Sequence, residues 1–251
     1  MTVGLLGYGR FGKLAARYIS RYADVAVFDP LHPPGSRGRR RTRFVSLEDA
    51  ASQRVLVLAM PVSALEDALR AVRPHLRPGA LVIDVCAVKS QPARWMKALL
   101  PRSVHLLGTH PLFGPDSASR TLSGKTVILC PVRIPAPLLS RVKRILRRKG
   151  LTTTVMSVDE HDRMAAETIF LTQYLGRMVG RAGLNRWPKV TFNYRNLLTL
   201  TDVAERDSFT LLADMARYSG RGERVVRALK RAQQDLDRKL HPSRPRRQRR
   251  Q

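Results

Sequence analysis

The chain opens on a short apolar run, Thr2–Gly7, with the form of a buried strand. Helical spacing follows it, with apolar residues at Phe11, Leu14, Ala15, Tyr18 and Ile19. At the join stands Gly7-Tyr8-Gly9-Arg10-Phe11-Gly12, a GxGxxG pattern, and no other feature restricts the fold as much. In such a turn the first glycine allows the tight reversal and the second lets a pyrophosphate approach the backbone. The third lets helix and strand pack closely. The new helix then presents free amides and the positive end of its dipole to the phosphates. Gly7, Tyr8, Gly9, Arg10, Phe11 and Gly12 are therefore candidate cofactor-binding residues.

A bare GxGxxG is weak evidence, and its bland reading is a glycine-rich turn near a solvated aspartate. Here it sits between strand and helix at the start of the chain, and Asp29 follows Gly9 by twenty residues at the end of a second strand, Val25–Asp29. An acid at that place holds a ribose hydroxyl pair. A carboxylate there also repels a 2′-phosphate, which favours NAD. Five arginines within Gly35–Arg43 follow the same strand and argue the other way, so NADP stays open.

Further strands are predicted at Val55–Val62, Ala80–Val85, Val104–His110 and Thr126–Val132, with helical patterns between them. This alternation implies an α/β fold, a Rossmann-type doubly wound parallel sheet over residues 1–153. The pattern changes after Ser157, which with Glu160 can form a capping box. From 154 to 240 the chain reads as an all-helical C-terminal domain, broken near Gly183–Pro188 and Ser219–Gly222. Residues 241–251, with five arginines, two prolines and no apolar periodicity, read as a disordered basic tail.

With 251 residues, 43% of them hydrophobic, the chain can bury a full core. No apolar run approaches the roughly 18–20 residues that span a bilayer. The N-terminus does not read as a signal peptide, and a cytoplasmic protein with no membrane partner is expected. Two cysteines, Cys86 and Cys130, give neither a disulfide framework nor metal-ligand spacing. Lys and Arg total 46 against 19 acids, a net charge of +27 that attracts anions. The bland reading is solvated arginines spread over many faces. A nucleotide-sensing nucleic-acid binder is the reading from another class. No helix-turn-helix signature and no aromatic-rich basic surface accompany the charge, so nucleic acid is not the expected partner.

Sheets of this type bind ligands beyond the carboxyl ends of their strands. Residues 60–63, 84–90 and 108–118 lie at such ends, which adds Met60 and Pro61 to the cofactor candidates. The stretch GTHPLFGPDSA, Gly108–Ala118, places His110 where nicotinamide and substrate would meet. A lone histidine is more often structural. At this position its imidazole can accept a hydroxyl proton as hydride leaves the same carbon.

The order GYGRFG, VFD, AMPVSALED, IDVCAVK, GTHPLFGPDS, SVDEHDRM resembles the prephenate/arogenate dehydrogenase family of tyrosine biosynthesis, from Thr2 to about Arg217. The resemblance implies NAD(P)-dependent oxidative decarboxylation of prephenate to 4-hydroxyphenylpyruvate, with His110 bonding the ring hydroxyl. Sister activities on L-arogenate or 4-amino-4-deoxyprephenate are the alternatives. It further implies a homodimer formed by the helical domain. Arg195 matches an arginine that grips the substrate carboxylate, and Asp116 matches an acid that orients it. Gln173 stands where some members carry a histidine near the substrate side chain. His161 and Asp162 match a family pair and read as mostly structural. Ala87 replaces a serine that assists the catalytic histidine. Without that hydroxyl, water, Thr109 or Cys86 would have to serve, and Thr109 is counted with the substrate-binding candidates.

Overall fold

A computed structural model of the chain describes residues 1–36, 38–118 and 120–241. Its strands are β1 (Thr2–Leu6), β2 (Asp24–Phe28), β3 (Thr42–Phe44), β4 (Val55–Leu58), β5 (Leu81–Asp84), β6 (His105–Pro111), β7 (Thr126–Arg133) and β8 (Thr152–Val155). They form one sheet in the order β3-β2-β1-β4-β5-β6-β7-β8. From β3 through β6 all neighbours pair in parallel. Between these strands run α1 (Arg10–Ile19), α2 (Leu47–Ala51), α3 (Leu65–Val72) and α4 (Ser90–Leu99), and α5 (Ala136–Arg148) links β7 to β8.

Successive side chains of a strand point to opposite faces, and β1 shows the result. Val3 and Leu5 join Ala16 of α1 in one apolar cluster, while Leu6 joins Leu65 and Leu69 of α3 in another. Helices thus cover both faces, which is why Val55–Leu58 can be apolar throughout. Strand order reverses between β1 and β4, and the carboxyl ends of that pair open the crevice where such sheets take ligands.

The sequence reading missed two strands and one direction. β3 lies inside the arginine loop, with only Thr42 and Phe44 buried, too short to show a pattern. β8, TTTV, is a largely exposed edge strand without apolar alternation. β7 pairs antiparallel with β6, so the sheet is not wholly parallel as expected. The connection from Leu112 to Lys125 holds no crossover helix and returns the chain directly, which only an antiparallel neighbour permits. A domain boundary after residue 153 would cut β8, and we place the division at Met156–Ser157.

Ser157 caps α6 (Val158–Ala165), and Glu160 bonds back to the Ser157 amide, completing the box. Five residues of π-helix, Ala166–Phe170, join α6 to α7 (Leu171–Arg181). Then come α8 (Phe192–Arg206), α9 (Phe209–Ser219) and α10 (Gly222–Leu240). The breaks near 183–188 and 219–222 fall where the sequence places them; a third, at Asp207–Ser208, does not show in its periodicity. Ala165, Phe170, Leu212 and Met215 share one core with Leu58, Val62, Val88 and Met96 of the sheet region. The helices therefore close over the crevice instead of standing apart from it. Among the described residues no helix is long and apolar enough to cross a membrane. The expectations for Arg37 and for the tail beyond His241 lie outside the described residues.

Candidate active site

The glycine turn has the form its sequence requires. Gly7 has φ +92°, a conformation side chains strain to adopt, and a Cβ on Gly12 would stand 2.1 Å from the Gly7 carbonyl oxygen. A Cβ on Gly9, in contrast, would meet nothing within 4 Å, so open space faces the backbone there. Gly9 caps α1 without any side-chain bond, and the first turn carries no acid. Its amides are left for an external anion, and a dinucleotide pyrophosphate fits that requirement.

Asp29 Oδ2 accepts the Tyr8 amide at 2.6 Å, and Oδ1 accepts the Leu31 amide at 3.0 Å beside His32 Nδ1 at 3.2 Å. Partial burial opposes its charge, but these donors outweigh burial and hold its pKa below the usual carboxylate value. Asp29 thus ties the end of β2 to the glycine turn as an anion. Arg39 and Arg40 line a cationic cleft of about 920 Å³ along α1, with Tyr8, Arg10, Lys13, Arg17 and Arg21.

The second cleft, about 630 Å³, lies between the glycine turn, the ends of β4, β5 and β6, and the helical region. Gly9, Arg10, Phe11, Met60, Pro61, Ala87, His110 and Gln173 line it, together with Thr168, Asp207 and Asp214. His110 comes from β6, 8% exposed. Its Nδ1 is 2.8 Å from His161 Nε2, and His161 Nδ1 is 2.8 Å from Asp162 Oδ1. Asp162 accepts the amides of Lys89 at 2.7 Å and Ser90 at 2.8 Å, at the start of α4. Burial opposes the Asp162 charge, yet the bonds from His161, Ser90 and Lys89 prevail and lower its pKa. His110 titrates well below its ordinary 6.5, first through burial and then through its neighbours His161 and Lys89. It is therefore a neutral imidazole near pH 7, as a proton acceptor must be.

Beneath this row lies a second buried charge pair. Lys89 Nζ bonds Asp84 Oδ1, with both side chains at most 1% exposed. Asp84 Oδ1 also accepts the Cys86 amide, and its Oδ2 has no partner among the described residues.

The other sequence-derived site residues fall in varied places. Thr109 directs its hydroxyl to the Asp84 carbonyl at 2.8 Å and does not line the cleft. Cys86 lines the cleft, but its thiol faces the Met60 carbonyl at 3.6 Å, and burial raises its pKa. Neither replaces the missing serine at Ala87; His161 holds His110 instead. Asp116 does not orient Arg195: it pairs with Arg10 at 2.8 Å and Arg206 at 3.8 Å. Arg195 is exposed in the first turn of α8 and is not among the cleft residues of its own chain.

Asp207 was not read from the sequence at all. It accepts Arg10 Nη1 at 2.9 Å and Gln173 Nε2 at 2.8 Å, while its carbonyl accepts Arg177 Nη2 at 2.6 Å. The signal available was Asp207-Ser208, a helix start, since Ser208 caps α9. Gln173, 7% exposed, keeps its Oε1 buried and without a partner among the described residues.

Comparison with known proteins bears on this architecture. Residues 38–155 match the family model for the nucleotide-binding domain of prephenate dehydrogenase. Arogenate dehydrogenase 2, chloroplastic, of Arabidopsis thaliana is 29% identical over 257 residues, covering 96% of this chain and 71% of the relative. Arogenate dehydrogenase 1, chloroplastic, of the same plant is also 29% identical, over 96% of this chain and 40% of the relative. Among solved structures, prephenate dehydrogenase from A. aeolicus, in complex with hydroxyphenyl propionate and NAD+, superposes with a TM-score of 0.72. That match has 18% identity and covers 96% of this chain and 90% of the other. Synechocystis arogenate dehydrogenase gives 0.66 at 19% identity, over 95% and 90%. At such identities the structures speak for the fold; the sequence relatives, together with the family model over residues 38–155, support the prephenate/arogenate dehydrogenase family of oxidoreductases.

Proposed function

We propose that the protein carries out NAD(P)-dependent oxidative decarboxylation of prephenate to 4-hydroxyphenylpyruvate, a step of tyrosine biosynthesis. The observation that carries this is His110: a neutral imidazole in the cleft, with Nδ1 held by His161 and Nε2 without a protein partner among the described residues. The nicotinamide, when bound, supplies the hydride acceptor. The protein binds and orients. The glycine turn and the bare amides of α1 hold the pyrophosphate, Asp29 stands at the ribose end, and Met60 and Pro61 flank the ring side of the cleft. His110 Nε2 takes the ring hydroxyl proton as the carbonyl forms, and that carbonyl withdraws the electrons released when the ring carboxylate departs as CO₂.

The clefts favour NAD, since the Asp29 carboxylate stands nearest the glycine turn and the arginines lie along α1. Rates of dinucleotide reduction with NAD+ and NADP+, each with prephenate, L-arogenate and 4-amino-4-deoxyprephenate, test the whole reading. Reduction with none of the three acids would refute it.

One observation favours L-arogenate as a second reading. Gln173 Oε1 has no partner among the described residues and stands beside the Asp207 carboxylate, and an ammonium group on the substrate side chain is a donor of the kind that oxygen lacks. Gln173→Leu is expected to lower kcat/KM for L-arogenate by about tenfold or more, the scale of one hydrogen bond to a charged group. Prephenate, with a side-chain keto group, should lose less. Equal losses for the two acids would exclude this reading.

The homodimer rests on the helical region's exposed apolar side chains, among them Trp187 at 63% and Phe192 at 73% exposure. Arg195 lies three residues after Phe192, on the same side of α8. Because it does not line the cleft of its own chain, its task of gripping the substrate carboxylate requires such a second copy.

A further inference from the structure

His161 and Asp162 are buried to 0% exposure, in line with the imidazole that takes the substrate proton. Buried polar groups in a row of bonds have little freedom over which atom donates, so protons can be assigned from the fixed end. Asp162 is that end. Its carboxylate accepts backbone N–H groups from Lys89 and Ser90, which cannot act as acceptors. An anion so held takes a third proton donor, and His161 Nδ1 at 2.8 Å is that donor. Neutral His161 then has a lone pair on Nε2, and His110 Nδ1, 2.8 Å away, must donate to it. His110 is left with its lone pair on Nε2, facing the cleft. Asp162 thus selects the His110 tautomer through an intervening ring, a role commonly given to a group bonded directly to the base.

The same row has a use during the reaction. We infer that His161 is the second stop of the substrate proton. As the ring hydroxyl gives its proton to His110 Nε2, His110 passes its Nδ1 proton to His161 Nε2. His161 becomes an imidazolium beside the Asp162 carboxylate, and His110 ends neutral, carrying its proton on Nε2. One O–H and one N–H bond break, two N–H bonds form, and charge is conserved. The positive charge therefore moves one ring deeper, into contact with an anion, instead of remaining where burial disfavours it. After product leaves, the two transfers reverse and His110 Nε2 releases the proton to the cleft.

The surroundings suit this assignment. Of the other titratable groups packed around the two rings, Lys89 is neutralised by Asp84. Cys86 and Cys130 remain thiols, the latter with its pKa pushed up to about 12 by burial. Asp214, on α9, accepts the amide and hydroxyl of Ser63. Asp162 is the anion bonded to His161. With Ala at position 87 no hydroxyl is available there, and the histidine row is the contact that His110 retains.

The inference rests on the proposed reaction and is tested apart from it, in the full-length protein with whichever acid and dinucleotide give turnover. His161→Gln keeps an acceptor oxygen near the place of Nε2 but cannot hold a proton there. Single-turnover dinucleotide reduction by H161Q is expected to fall about 10²-fold, the low end of acid–base contributions, with substrate KM and dinucleotide Kd within about twofold of the parent. In mixed light and heavy water the parent's rate should bend as two protons in flight require, and that of H161Q should be linear. Full activity in H161Q, or a linear parent plot, would overturn the second stop. Nitrogen NMR of the unmodified protein gives a readout independent of variant folding. Both His110 and His161 should carry hydrogen on Nδ1, and hydrogen on His110 Nε2 in the free enzyme would overturn the assignment. A parent that reduces no dinucleotide would instead remove the reaction itself, leaving the NMR result to judge the tautomers.

Discussion

Replacing His110 with asparagine is expected to lower kcat by about 10²–10⁴-fold, the range for loss of a general base. The asparagine amide can still donate toward His161 Nε2, so the fold and the dinucleotide Kd should change little. Turnover measured by dinucleotide reduction, with Kd from fluorescence titration, checks both halves. Unchanged turnover would remove His110 from the chemistry. The pH profile gives a second handle. Burial, with His161 and Lys89, depresses the His110 pKa well below 6.5. The neutral, base-competent form therefore persists as pH falls through 6.5, and the acid limb of kcat/KM should lie well below that value. Linkage has the same sign. Once the pH drops below the unfolded histidine's value, the unfolded chain takes a proton that the folded site refuses. Stability present above that pH is progressively lost down to the folded pKa.

Lys89→Met should cost about 3–5 kcal/mol of stability, the scale for stripping one partner from a buried ion pair. Asp84 is fully buried and its Oδ2 already has no partner among the described residues. Without the ammonium its charge has only the Cys86 amide for support. Denaturant unfolding of the variant measures the loss, and adding Asp84→Asn should recover part of it by removing the stranded charge. A Lys89→Met protein as stable as the parent would mean that the pair adds nothing to the fold. Arg227→Ala, which breaks an exposed pair with Glu223 on α10, should scarcely move the midpoint.

The fold was legible where local chemistry and tertiary demand agree. Gly7, Gly9 and Gly12 show their turn because each meets a separate steric requirement, and the Ser157–Glu160 cap shows because its bonds are local. β3 and β8 escaped because edge strands need little burial and leave no apolar period. The direction of β7 depends on a partner that periodicity does not name. His110 could be found from its place at a strand end. The task of His161 could not, since it depends on a ring 51 positions away in sequence. Asp207 was hidden in the same way: a carboxylate before a helix cap looks like any other until Arg10, Gln173 and Arg177 converge on it.

The wide-wound segment at Ala166–Phe170 has its own consequence for this arrangement. Gln173 follows His161 by twelve positions, which on an uninterrupted α-helix, at about 100° each, would leave them about 120° apart around the axis. Absorbing one residue in the wide turn cuts that offset to about 20°, so the His161 ring and the Gln173 amide look out on the same side. Phase along a single rod, and not only the identity of either residue, decides what the crevice can recognise. Rewinding that turn as regular α-helix, with its residue count kept, would rotate Gln173 off that side while leaving every group in the crevice chemically intact, a route by which relatives could diverge in preference without exchanging a contact residue.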